Sequence, residues 1–158
     1  MKSYDYSSAG YYFVTICVKD GHEMLWSKPV GANCVRPGIH PRLSEYGNIV
    51  EKEISVLSKT YDAVKVVKHV VMPNHVRMIV VIGDSGRTQF APTISRAIKQ
   101  FKGSVTNQIG FSLWQKSYHD HIIRSAAQYR RIWQYIDTNP ATWPQDCYYT
   151  NKHFLHSH

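Results

Sequence analysis

Three observations predict an α+β fold. Short runs of aromatic and β-branched residues alternate with longer runs whose apolar residues recur at helical period. The runs follow one another in the order β-α-β-β-α-β-α. A turn signal, Pro73-Asn74, joins the two middle β runs as a hairpin.

Each element has its own warrant. Residues 11–18 (YYFVTICV) are apolar on both faces, as a central strand is. Residues 19–42 contain Pro29, Gly31, Pro37, Gly38 and Pro41 and read as a loop, with a short strand near residues 24–26. Ser44 then caps a helix that places Val50, Ile54, Leu57 and Tyr61 on one face. Residues 64–72, rich in valine, and 75–82 (HVRMIVVI) are the two strands of the hairpin. A polar loop covers residues 83–91. Thr93 caps a second helix with Ile94, Ala97, Ile98, Phe101 and Val105 on one side. Residues 110–119 are loop-like, and 118–124 make a last strand. Ser125 and Gln128 have capping-box spacing, followed by the stripe Tyr129, Ile132, Trp133 and Ile136. Asn139-Pro140 ends that helix, because a residue before proline disfavours the α region. The first six elements match a ferredoxin-like split β-α-β sandwich with an antiparallel sheet, and the seventh is an added C-terminal helix. One domain spans residues 1–158, with a core at about residues 10–143 and a tail from 144.

Charge narrows the function classes. The 158 residues include 19 Lys+Arg and 11 Asp+Glu, a formal charge of +8 that favours a polyanionic partner. No apolar run approaches the ~20 residues of a membrane span. The N-terminal MKSYDYSSAGYY has no apolar signal core. Cys17, Cys34 and Cys147 form neither a disulfide framework nor a zinc pattern. The expectation is a cytoplasmic protein with no membrane partner.

Three constellations carry chemistry. His75 opens a strand directly after a tight turn, which predicts a sheet-edge position facing solvent or a cleft, with residue 77 on the same face. Two groups at that spacing suit one metal ion or one phosphate. A hairpin-closing His75 beside a solvated Arg77 is the plainer reading. On the last helix, Tyr135 lies roughly 110° from the apolar stripe, on the flank, with Arg131 and Asn139 one turn to either side. That arrangement suits a nucleophile, and a surface tyrosine is the plainer reading. Arg96, Lys99 and Lys102 form a basic row on the second helix, and Arg124, Arg130 and Arg131 add charge near Tyr135. Such rows neutralise phosphates or are simply solvated. Trp114 and Tyr118 are candidate platforms for stacking unpaired bases, though burial suits Trp114 equally.

Together these pieces resemble the single-tyrosine HUH transposases, in particular the REP-associated tyrosine transposase group. The resemblance rests on YYFVTICV, VGANCVRP…LSEYGNIV, VVMPNHVRMIVVI, IKQFKGSVT, LWQKSYHDHIIR and YIDTNP, six pieces in the expected order from about Tyr11 to Trp143. It implies a ferredoxin-like enzyme that cuts and joins single-stranded DNA beside hairpins. It also implies that His75 is the first histidine of a metal-binding strand motif and that Asn139 is a further ligand of Mg²⁺ or Mn²⁺. Tyr135 is then the nucleophile that forms a 5′-phosphotyrosine link. The sequence departs from the family pattern at Arg77, which stands where the second motif histidine is expected. Arginine offers no lone pair, so His75 and Asn139 remain as protein ligands. Three outcomes are open: a weaker metal site completed by water and DNA phosphate, an Arg77 guanidinium that grips the phosphate, or a catalytically silent protein that binds hairpin or single-stranded DNA. Impaired metal-dependent cleavage is the expectation, with Arg77→His raising activity. A ferredoxin-like RNA binder ranks last, because no strand carries the RNP1 pattern. Monomer and homodimer are both open.

Overall fold

The computed structural model describes residues 10–27, 42–61, 63–83 and 94–143. Strand β1 (Gly10–Cys17) is followed by a short 3₁₀ turn (Lys19–Gly21) and helix α1 (Glu45–Thr60). Then come the hairpin β2 (Val64–Met72) and β3 (His75–Ile82), helix α2 (Ile94–Ile109), strand β4 (His119–Ile123) and helix α3 (Ala126–Thr138). The sheet order is β2-β3-β1-β4, and every neighbouring pair is antiparallel. This is the split β-α-β sandwich expected from the element order.

Alternation along the strands explains why helices cover both faces. Tyr12, Val14 and Ile16 of β1 and Val76, Met78 and Val80 of β3 point one way. They meet Val50, Ile54 and Leu57 of α1 and Ile94, Ala97, Ile98, Phe101 and Val105 of α2 in the main core. On the opposite face Ile79, Ile123 and Ile136 form a smaller cluster, with Phe13, Tyr129 and Ile132 packed against it. So α1 and α2 lie on one side of the sheet and α3 on the other. Ser44 and Ser125 cap α1 and α3, each accepting a hydrogen bond from a backbone N–H three residues on.

The structure alters some details. The expected strand near residues 24–26 is a single bridge, Trp26 to Leu43. The stripe on α3 is narrower than periodicity implies: Trp133 is 37% exposed, while Asn139, just past the helix, is fully buried. Thr93, the segments 28–41 and 84–91 expected as loops, Cys34, Cys147 and the residues from 144 lie outside the described residues. Among the described residues no helix is long and apolar enough to cross a membrane.

One glycine is demanded by close packing. A Cβ at Gly47 would lie 2.0 Å from the Leu25 carbonyl oxygen, which already accepts the Ser44 N–H at 2.9 Å. Both partners are backbone, so neither yields cheaply. Gly47→Ala is expected to destabilise the fold by about 3 kcal/mol, read in thermal unfolding as a fall in Tm of about 10 °C.

Candidate active site

The hairpin turn and β3 supply the first half of the site. His75 and Arg77 are two residues apart, so both point to the face that α3 covers. Asn74, in the turn, holds His75 by its side chain, with Oδ1 2.8 Å from Nδ1. The Trp143 ring, from the segment after α3, stands 6.0 Å from the imidazole. His75 is 0% exposed and Arg77 3%. The expected open position of His75 is therefore corrected: β3 is an inner strand, and Trp143 closes over its first residue.

Helix α3 supplies the second half. Arg77 Nη1 donates to Asn139 Oδ1 at 2.5 Å, a contact between residues 62 apart in sequence. The same guanidinium has its Cζ 4.8 Å from the centre of the Tyr135 ring. Tyr135 also meets Phe13 edge-on at 6.4 Å and keeps 40% of its surface exposed. A buried guanidinium is costly unless it is well partnered. Here an amide oxygen and the face of an aromatic ring both offer it negative potential.

Contacts on both flanks fix where α3 lies. Towards β4, the Gln128 side chain accepts the Arg124 backbone N–H through Oε1 at 2.8 Å. Its NH₂ group then faces His121 Nε2 at 2.6 Å, so that ring nitrogen is the acceptor. Towards β2, Lys68 Nζ pairs with Asp137 at 2.7 Å and sits 4.7 Å from the centre of the Trp133 ring. Tyr135 lies over β1 and β3, against Phe13 and Arg77. Across the sheet in register, Arg77 pairs with Thr15 and Thr15 with His119, while Phe13 pairs with His121. Those residues share the face of the sheet on which Tyr135 lies.

The structure brings Arg77, Tyr135 and Asn139 into contact, with His75 beside them on the same strand face. It does not bring the α2 row to them. Arg96, Lys99 and Lys102 belong to the helix on the opposite side of the sheet. Arg96 and Lys99 are exposed. Lys102 is half-buried and donates to the carbonyls of Gln115 and Lys116 at 2.6 and 3.1 Å. Burial lowers its pKa below the usual lysine value, and its visible job is to pin the loop before β4. Arg124, Arg130 and Arg131 are exposed and lie at or on α3.

The aromatic candidates are redistributed. Trp114 is buried, bridged to Val18 and packed 5.8 Å from the Phe101 ring. Tyr118 is half-buried, with its hydroxyl 2.9 Å from Ser95 Oγ. Among the described residues Tyr11, Phe111, Trp133 and Tyr135 are exposed rings, and Tyr11 and Trp133 both pack against Tyr129. Sequence reasoning passed over Phe13, Asn74 and Gln128 as site residues. Asn74 and Gln128 carried signals, but those signals were a turn and a helix cap.

No family model matches the chain. It is 30% identical over 172 residues to an uncharacterized protein of Haemophilus influenzae, a match that covers 96% of this chain and 91% of that protein. Among solved structures, a REP-associated tyrosine transposase bound to a REP hairpin superposes with a TM-score of 0.64 at 20% identity, over 90% of this chain and 74% of that one. A Deinococcus radiodurans protein assigned provisionally as a transposase gives 0.51 at 18% identity, over 89% and 98%. At these identities the structural likeness is one of fold.

Proposed function

We propose, from a chain that belongs to one family with the Haemophilus influenzae protein and has the fold of a REP-associated tyrosine transposase, that this protein is a transposase-type nickase and strand transferase acting on single-stranded DNA beside hairpins. The observation that carries this reading is the placement of Tyr135. It is a partly exposed tyrosine held against a buried cation at 4.8 Å, and the carbonyl bonded to that cation comes from one turn further along. The solved transposase bound to a REP hairpin supports a hairpin as the partner.

The chemistry is a transesterification. The Tyr135 oxygen attacks a backbone phosphorus and the phenol loses its proton to solvent. The bond from phosphorus to the 3′-oxygen breaks, and that oxygen takes a proton from water. The product is a 5′-phosphotyrosine link, and attack on it by a 3′-hydroxyl reseals a strand without ATP. Orientation and positive charge near the nucleophile are what a tyrosine needs for this step. All the residues named come from one chain, which a monomer satisfies.

Arg130 and Arg131, exposed on α3, are positioned to neutralise DNA phosphates. Each change to alanine is expected to weaken hairpin binding several-fold, irrespective of sequence, and to reduce the slope of log K against log salt by about 1. Titrations by fluorescence anisotropy at several salt concentrations check this. The reading as a whole is tested with a single strand that carries a hairpin and a label at its 3′ end. A native gel reports binding and a denaturing gel reports covalent attachment. Binding and attachment together are expected, and equal affinity for duplex DNA and RNA contradicts the reading.

A further inference from the structure

We propose that Arg77 is a built-in substitute for the divalent metal, so that the site runs on a permanent guanidinium cation and takes up no Mg²⁺ or Mn²⁺. The inference rests on the reading of Tyr135 and Asn139 above and decides what charge serves them. The resemblance implies a metal held by His75, a second histidine and Asn139. The residues present do not fit that ion. Arginine stays protonated and has no lone pair to give. Its Nη1 donates to the very oxygen, Asn139 Oδ1, that a metal would need, at 2.5 Å. A divalent ion placed between His75 and Asn139 would therefore meet a like charge at contact range and compete for a ligand already engaged.

Burial makes the arrangement fixed. Arg77 is 3% exposed, and Asn139 and His75 are 0% exposed. Arg77 is enclosed on an inner strand, under the ring of Tyr135, so it does not swing aside to clear a seat. Among the described residues no group of three His, Cys, Asp or Glu side chains offers another. What the guanidinium does is what an ion there would do: it orients the Asn139 amide and places positive charge 4.8 Å from the Tyr135 ring centre. Arg77 is thus a positioning residue, acting through Tyr135 and Asn139.

The test uses the full chain without DNA and reads free Mn²⁺ by electron paramagnetic resonance. The unaltered protein is expected to leave the free six-line signal undiminished at one equivalent. Arg77→His restores the histidine pair and is expected to remove most of that signal, with the effect lost when His75→Ala is added. Circular dichroism confirms that each variant is folded. Stoichiometric Mn²⁺ uptake by the unaltered protein that His75→Ala abolishes would overturn the proposal, and so would a folded Arg77→His that binds none. If Arg77→His does not fold, the unaltered chain still decides. At matched ionic strength its hairpin affinity is expected to agree within about twofold with EDTA or with Mn²⁺, and marked tightening by the metal overturns the proposal. Failure to bind a hairpin at all would refute the transposase reading and leave the resonance result standing.

Discussion

Tyr135→Phe is expected to abolish covalent attachment of DNA, by more than about 10⁴-fold, while hairpin affinity stays within about twofold. The change removes one hydroxyl and keeps the ring. The edge-on contact with Phe13 and the guanidinium at 4.8 Å both survive it. Tyr135 is 40% exposed, so stability is expected to hold within about 0.5 kcal/mol. Loss of attachment with intact binding and fold has one explanation, the missing nucleophile. A catalytically silent DNA binder would show no attachment before the change either.

Arg77→Met is expected to destabilise the fold by about 3 kcal/mol. Methionine keeps much of the aliphatic volume but gives up a charged hydrogen bond in a buried place. Asn139 Oδ1 loses that donor inside the protein, and the Tyr135 ring loses its cation. Arg77→Lys is expected to recover only part, because a compact ammonium does not reproduce the reach and planarity of the fork. Urea unfolding of Arg77→Met, Asn139→Leu and the double variant measures the pair directly. A coupling above about 1 kcal/mol is expected for residues in contact, and strict additivity would contradict the contact.

Much of this architecture is written locally. The stripe on α2 is legible because its apolar residues face a broad two-helix core and all five are buried. The caps at Ser44 and Ser125 are legible because each satisfies donors within its own first turn. Tyr135 is legible as a flank residue from angle alone. Asn139 is not legible as buried: before a proline it reads as a helix end, and its hydrogen-bond donor is an arginine on a distant strand. Trp133 reads as core because it follows Ile132, yet α3 crosses a narrow cluster that admits Ile132 and Ile136 and leaves the indole outside, over Lys68. Trp114 reads equally as a stacking platform or a buried ring, and its bridge to Val18 and packing on Phe101 decide for burial.

The basic row on α2 shows a different limit. Periodicity says which side of a helix is polar, not which side of the sheet the helix covers. Here handedness carries that information. Both crossovers of a split β-α-β unit are right-handed, which puts α1 and α2 on one face together. A helix that follows β4 is free to close the other face, and α3 does. Arg96 and Lys99 therefore lie across the sheet from Tyr135, whereas Arg130 and Arg131 share its helix.

The most direct measurement of the central claim is peptide mapping by mass spectrometry after incubation with a hairpin-bearing single strand in EDTA. The expected result is one modified peptide, carrying a 5′-linked nucleotide remnant on Tyr135, at the same yield when Mg²⁺ replaces EDTA. A bound strand with no modified peptide in either condition, or a remnant on a residue other than Tyr135, would contradict the account.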